Sequence, residues 1–136
     1  MASQLEGVRV LVVDDEEDAR DLLDAILSHR GASVQTAESA SAGRALLESL
    51  RPHVIISDIG MPNEDGYCFI RSIRELERER GVSTPAIALT AYARAEDRTQ
   101  AFEAGFDIHL AKPVDINELL GLVERLGRLA LNDPDR

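Results

Sequence analysis

The chain has 136 residues, 44% of them hydrophobic, with 15 basic against 25 acidic side chains and a formal net charge of −10. That length suits one domain with a buried core, and the acidic balance argues against non-specific nucleic-acid binding, which needs clustered Lys and Arg. No apolar run approaches the roughly 20 residues of a membrane span and no signal peptide opens the sequence; Cys68, the single cysteine, excludes an internal disulfide, so a cytoplasmic location without membrane contact is expected.

Residues 1–6 are expected to be a flexible lead. The run VRVLVV (Val8–Val13) predicts a first strand, ending in Asp14 and Asp15. Ala19, Leu22, Leu23, Ile26 and Leu27 then recur at helical spacing. Glu16, Glu17 and Asp18 put negative charge at that helix start, where the dipole favours it. Gly31 follows as a C-cap signal, SVQTA (Ser33–Ala37) predicts a second strand, and a helix is expected over Ala40–Leu50. After Pro52 comes VIIS (Val54–Ser57), a third strand running into Asp58. A helix over Gly66–Arg80, Pro85, and the strand AIALT (Ala86–Thr90) follow, then a helix over Ala95–Ala104 with Gly105 beyond it. DIHLA (Asp107–Ala111) predicts the last strand, directly before Lys112 and Pro113. Ile116, Leu119, Leu120, Val123 and Leu126 mark a final amphipathic helix, with Asp115 and Glu118 as its capping box. One folded domain over residues 7–130 results, with 131–136 as a polar tail.

Strands alternating with helices imply an α/β fold with a parallel sheet covered on both faces. Runs one, three and four are almost continuously apolar, as central strands are, whereas runs two and five alternate, as edges do. That pattern favours the order 2-1-3-4-5: a flavodoxin-like (βα)5 three-layer sandwich.

In such a sheet, sites form outside the carboxyl ends of the strands. Those ends are Asp14 and Asp15, Asp58, Thr90, and the position beside Lys112, the only lysine in the chain. Each of these is unremarkable alone: an acidic helix start, a turn residue, a strand-end hydroxyl, a surface lysine. Together they put three carboxylates, a hydroxyl and an ammonium on one rim. Two carboxylates ~5 Å apart repel by about 3 kcal/mol at an effective dielectric near 20, so a cation is expected among them. Hard oxygen donors favour Mg2+, with Mn2+ as the alternative, and His29, His53 and His109 are too scattered for zinc. A carboxylate beside Mg2+ can attack phosphorus and form an acyl phosphate.

The motifs LVVDDEEDAR, ISDIGMPNEDGY, ALTAYA and HLAKPV make the span from about Gly7 to Leu129 resemble a receiver domain of the two-component response-regulator family. The resemblance implies a switch in a phosphorelay. Asp58 would be the phosphoacceptor, supplied from a phosphohistidine on a histidine kinase or histidine phosphotransfer protein. Asp15 would ligate Mg2+ directly, Asp14 mainly through water, and Gly60 by its backbone carbonyl. Thr90 would be the switch hydroxyl, Lys112 the phosphoryl-binding lysine, and Lys112–Pro113 a cis bond. Met61, Pro62 and Gly66 match the loop after the acceptor, which must bend sharply. Phosphorylation would shift the face made by helix four, strand five and helix five. LEGVRVLVVDD with ALTAYA and HLAKPV most resembles receivers of hybrid sensor kinases, so the expected alternatives are a receiver covalently linked to a sensor kinase in a longer protein, which the resemblance favours, and a stand-alone regulator.

Where the family usually has Tyr or Phe as a rotating ring stands His109, either that ring or an ordinary edge-strand histidine; an imidazole there would add pH sensitivity near neutrality. Gly60 and Tyr92 occupy positions that tune loss of the phosphoryl group, and neither offers a carboxylate or amide. A long-lived acyl phosphate partly shielded by Tyr92 is expected. An aspartyl phosphatase of the haloacid-dehalogenase type would want an Asp two residues after its nucleophile, where Gly60 or Glu16 stands. A pseudo-receiver would lack one of the site positions, and none is lost. The domain is therefore expected to be a signalling module that catalyses its own phosphotransfer and autodephosphorylation, not an enzyme acting on free substrates.

Overall fold

The computed structural model describes residues 4–91 and 94–132. Ten elements alternate along the chain: β1 (Arg9–Val13), α1 (Glu17–His29), β2 (Ser33–Ala37), α2 (Ala40–Leu50), β3 (Val54–Asp58), α3 (Gly66–Arg80), β4 (Ala86–Thr90), α4 (Ala95–Ala104), β5 (Ile108–Ala111) and α5 (Ile116–Leu131). The strands form one parallel sheet in the order β2-β1-β3-β4-β5. The two alternating runs are its edges, and every residue of β3 and β4 is buried. The expected architecture and order are present.

Side-chain alternation along each strand divides the core into two layers. Leu11, Val13, Ile55, Ala86 and Ala88 face α2, α3 and α4 and pack with Leu47, Phe69, Ile70, Ile73 and Ala101. Val10, Val12, Val54, Ile56, Ile87 and Leu89 face α1 and α5 and pack with Leu23, Leu27, Leu119, Leu120 and Val123. Burying each large apolar side chain contributes about 1.5–3 kcal/mol, so the two layers fix which way every strand end points.

Helix starts are capped by their own sequence. Ser39 accepts from the Ala42 amide, Asp65 from Cys68, and Asp115 from Glu118 as expected. For α1, the residue before the helix gives no side-chain cap; instead Asp14 Oδ1 accepts the Glu16 amide at 2.9 Å.

Boundaries differ from expectation in a few places. The lead expected over 1–6 is not free at its inner end: Leu5 is wholly buried, its amide donates to the Arg30 carbonyl, and Gln4–Gly7 is a turn. Arg128 of α5 holds that turn by donating to the carbonyls of Gln4 and Glu6. At the other end, Leu131 closes α5 rather than opening a tail. Asp58 is the last residue of β3, and Asp107 lies before β5, where its carboxylate accepts the Ala86 amide.

Candidate functional site

Register brings the strand ends together. Val13 lies beside Ser57, Asp58 beside Leu89, and Thr90 beside Ala111. The residues that follow β1 and β5 therefore flank the last residues of β3 and β4. Lys112 donates its amide to the Thr90 carbonyl at 2.8 Å, which ties it to the rim beyond the end of β5.

Carboxylate oxygens of Asp14, Asp15 and Asp58 lie within 4.8 Å of one another, and among the described residues this is the one such group suited to a metal. Asp14 and Asp58 are buried, and Asp15 is exposed at the mouth. Lys112 Nζ sits 3.1 Å from Asp58 Oδ1 and 3.6 Å from Asp14 Oδ2. Burial pushes the Asp14 carboxyl above its ordinary pKa; the Glu16 amide opposes this and the neighbouring Asp58 adds to it. Burial alone would lower the pKa of Lys112, but Asp14 and Asp58 overcome it and hold the ammonium above its usual value. One cation thus stands against three carboxylates.

The donor set fits a small divalent cation. Among the described residues Asp14 Oδ2 is buried without a hydrogen-bond donor, with only the ion pair to Lys112 Nζ at 3.6 Å, an expensive state for a carboxylate oxygen. All-oxygen ligands with one exposed approach suit Mg2+ or Mn2+. No His or Cys joins the group.

The other expected positions are distributed as follows. Thr90 is buried at the end of β4, one residue beyond Leu89, the register partner of Asp58. Gly60 is exposed two residues beyond Asp58, and a β-carbon there would meet nothing within 4 Å. The Lys112–Pro113 bond is cis. Tyr92 lies outside the described residues. His109 is half-buried on β5, and its buried Nε2 has no hydrogen-bond partner among the described residues. Burial and the nearby Arg98 depress its pKa, with Asp97 opposing. That depression favours the neutral imidazole.

Three residues that hold the rim were not legible as such. Arg20, the lone cation in the acidic run that opens α1, donates to the Asp14 carbonyl at 2.8 Å and braces the turn carrying Asp14 and Asp15. Arg44 grips Glu64 in the loop after Asp58. Gly66 is required for a different reason than a bend. A β-carbon there would lie 2.4 Å from the Asp58 carbonyl oxygen and 2.8 Å from Ile59 Cα. The start of α3 presses directly on the backbone of the rim, while the left-handed turn of the loop is taken by Asn63 at φ 69°.

The comparisons with known proteins agree with this geometry. Residues 10–124 match the family model of the response regulator receiver domain. An uncharacterized 14.6 kDa protein of Leptolyngbya boryana is 48% identical, over 85% of this chain and 87% of its own length. Hybrid signal transduction histidine kinase D of Dictyostelium discoideum is 35% identical over 89% of this chain, which spans only 8% of that kinase. Among solved structures, the chemotaxis protein CheY4 of Vibrio cholerae superposes with a TM-score of 0.80 at 29% identity, covering 88% of this chain and 98% of that one. No helix among the described residues is long and apolar enough to cross a membrane. A sheet order, an acidic rim and a family match over most of the chain converge, and the chain belongs to the response regulator receiver domain family.

Proposed function

We propose that Asp58 accepts a phosphoryl group from a phosphohistidine and that the aspartyl phosphate is the signal. The observation that carries this is the meeting of Asp14, Asp15 and Asp58 within 4.8 Å, with Lys112 Nζ 3.1 Å from Asp58 Oδ1. Asp58 ends a fully buried strand, so its carboxylate is held in one place. It needs no general base, because a carboxylate is already ionised at neutral pH. One Asp58 oxygen attacks phosphorus, the P–N bond to the donor imidazole breaks, and an acyl phosphate results.

Asp14, Asp15, Asp58 and the Gly60 carbonyl would hold a divalent cation, which supplies positive charge to the phosphoryl oxygens. Lys112 would add a second positive charge, and the Thr90 hydroxyl would donate to a phosphoryl oxygen. The phosphoryl group carries about −1.5 to −2 where the carboxylate carried −1, so the rim gains up to about one negative charge. That charge draws Thr90 and Lys112 and shifts the α4-β5-α5 face, a population shift between two arrangements. The donor is a histidine kinase or histidine phosphotransfer protein, separate or joined to this domain in a longer chain. With neither carboxylate nor amide at Gly60, the acyl phosphate is expected to be long-lived.

The test is binding of a beryllium fluoride phosphoryl mimic in the presence of Mg2+, followed by NMR. The wild-type chain should trap it with shifts spreading to α4 and β5, and Asp58→Asn should not. Equal trapping by Asp58→Asn would refute the assignment, and turnover of free phosphate esters would point to a phosphatase instead.

A further inference from the structure

The rim is built from strand ends, but the segment after Asp58 is held from outside the sheet. Between β3 and α3 the chain passes through Ile59, Gly60, Met61, Pro62, Asn63, Glu64 and Asp65. Its two ends are pinned by backbone: the Ile59 amide donates to the Leu89 carbonyl at 3.0 Å, and the Gly66 amide to the Ile59 carbonyl at 2.9 Å. The middle bonds mainly to itself, Met61 to Ile59 and Glu64 to Pro62, and it contains the left-handed Asn63. Gly60, Pro62 and Asn63 are exposed.

Two side chains tie that middle to other elements: Met61 is buried in the core layer with Phe69 and Ile70, and an arginine reaches the exposed part beyond it. Arg44 of α2 donates from Nη1 to Glu64 Oε2 at 2.5 Å and from Nη2 to Oε1 at 2.8 Å. Nη1 also donates to Ser72 Oγ of α3 at 3.2 Å. A fork seated on both carboxylate oxygens fixes orientation as well as distance. The neighbouring Gly43 brings α2 close enough: a β-carbon there would lie 3.0 Å from Phe69 of α3 and 3.0 Å from Val13, the residue before Asp14. The same pairing holds the Glu64 carboxyl below its ordinary pKa, so the latch is ionised across the neutral range.

We propose that Arg44 is a positioning residue of the metal site: by gripping Glu64 it fixes the exposed Gly60 segment, so that divalent-cation binding depends on α2, an element that supplies none of the rim residues. This rests on Asp14, Asp15, Asp58 and the Gly60 carbonyl being the ligands. The latch acts as a unit, and a lysine, which is a point charge without the fork, does not replace it.

The experiment is Mn2+ binding to the full chain, read by electron paramagnetic resonance well below the melting temperature. Arg44→Gln and Glu64→Gln should each weaken binding about tenfold, the low end for outer partners of a metal ligand. The double variant should bind no more weakly than either single one, and Arg44→Lys should remain weak. Asp15→Asn separates the two levels of the claim. If Asp15→Asn loses Mn2+ while Arg44→Gln and Glu64→Gln bind like wild type, the latch is refuted and the ligand assignment stands. If wild type binds no more tightly than Asp15→Asn, the ligand assignment itself fails. Additive losses in the double variant would also overturn the latch. Should Arg44→Gln fold poorly, Glu64→Gln, nearly isosteric and at a half-exposed loop position, carries the test alone.

Discussion

Lys112 shows how much one residue type can carry. In a chain whose other 14 basic residues are arginine, the single ammonium stands between two buried carboxylates, 3.1 Å from one and 3.6 Å from the other. A compact point charge on a flexible stem fits there and leaves the mouth at Asp15 open, whereas a planar guanidinium would spread across the space that the proposed phosphoryl group would enter. Lys112→Arg is therefore expected to fold and to bind Mg2+, yet to form phospho-Asp58 about 10²-fold more slowly, the usual loss when a donor aimed at developing charge is misplaced. Initial rates with a phosphorylated kinase decide it, and a wild-type rate would make the lone lysine an accident of composition. Asp14, Asp15, Asp58, Thr90 and Lys112 were legible in the sequence because a parallel sheet sends every strand end to the same rim. Arg20, Arg44 and the reason for Gly66 were not, because the reach of a long side chain and the approach of one backbone to another leave no period in the sequence.

At the scale of elements, period and punctuation did most of the work. The ranges of α2, α3 and α4, and of β2 and β4, follow from apolar spacing and flanking Gly and Pro. What spacing could not convey is how α4 is attached. Its buried residues, Ala101 and Ala104, lie in its C-terminal half, and Phe106 follows. Just beyond, Arg74 of α3 binds four groups: the Gly105 carbonyl, the Thr84 carbonyl, Glu77 Oε1 and Asp107 Oδ2. Glu77 is almost wholly buried and also accepts the Thr84 amide. This hub clamps α3, the entry to β4 and the α4–β5 connection together, and leaves the first turns of α4 the least anchored part of that helix. Removing the cation strands a buried carboxylate, so Arg74→Ala is expected to cost about 3–5 kcal/mol in urea unfolding. Arg74→Met combined with Glu77→Gln should recover part of that loss, since no charge is left buried. A cost for Arg74→Ala below about 1 kcal/mol, the range of exposed ion pairs, would show that the hub is no more than a surface contact.

The net charge of −10 acts on the molecule as a whole, but not evenly. Most acidic side chains lie in water, where ordinary salt screens their mutual repulsion. Asp14 and Asp58 are buried on the rim with Asp15 beside them, answered by a single lysine. Their repulsion is poorly screened and costs folding free energy in the absence of a bound cation. Two ways of adding positive charge can therefore be told apart. Sodium chloride relieves the surface only, while Mg2+ at the same ionic strength would also occupy the proposed rim site, and binding to the native state alone raises stability by mass action. With free Mg2+ at about ten times its Kd the gain is about 1.4 kcal/mol, roughly 5 °C in Tm for a chain of this size. Thermal melts at matched ionic strength should show that increment with MgCl2 and much less with NaCl, and Asp15→Asn should remove the difference. If the two salts stabilise the wild-type chain equally, the rim is only another part of an acidic surface.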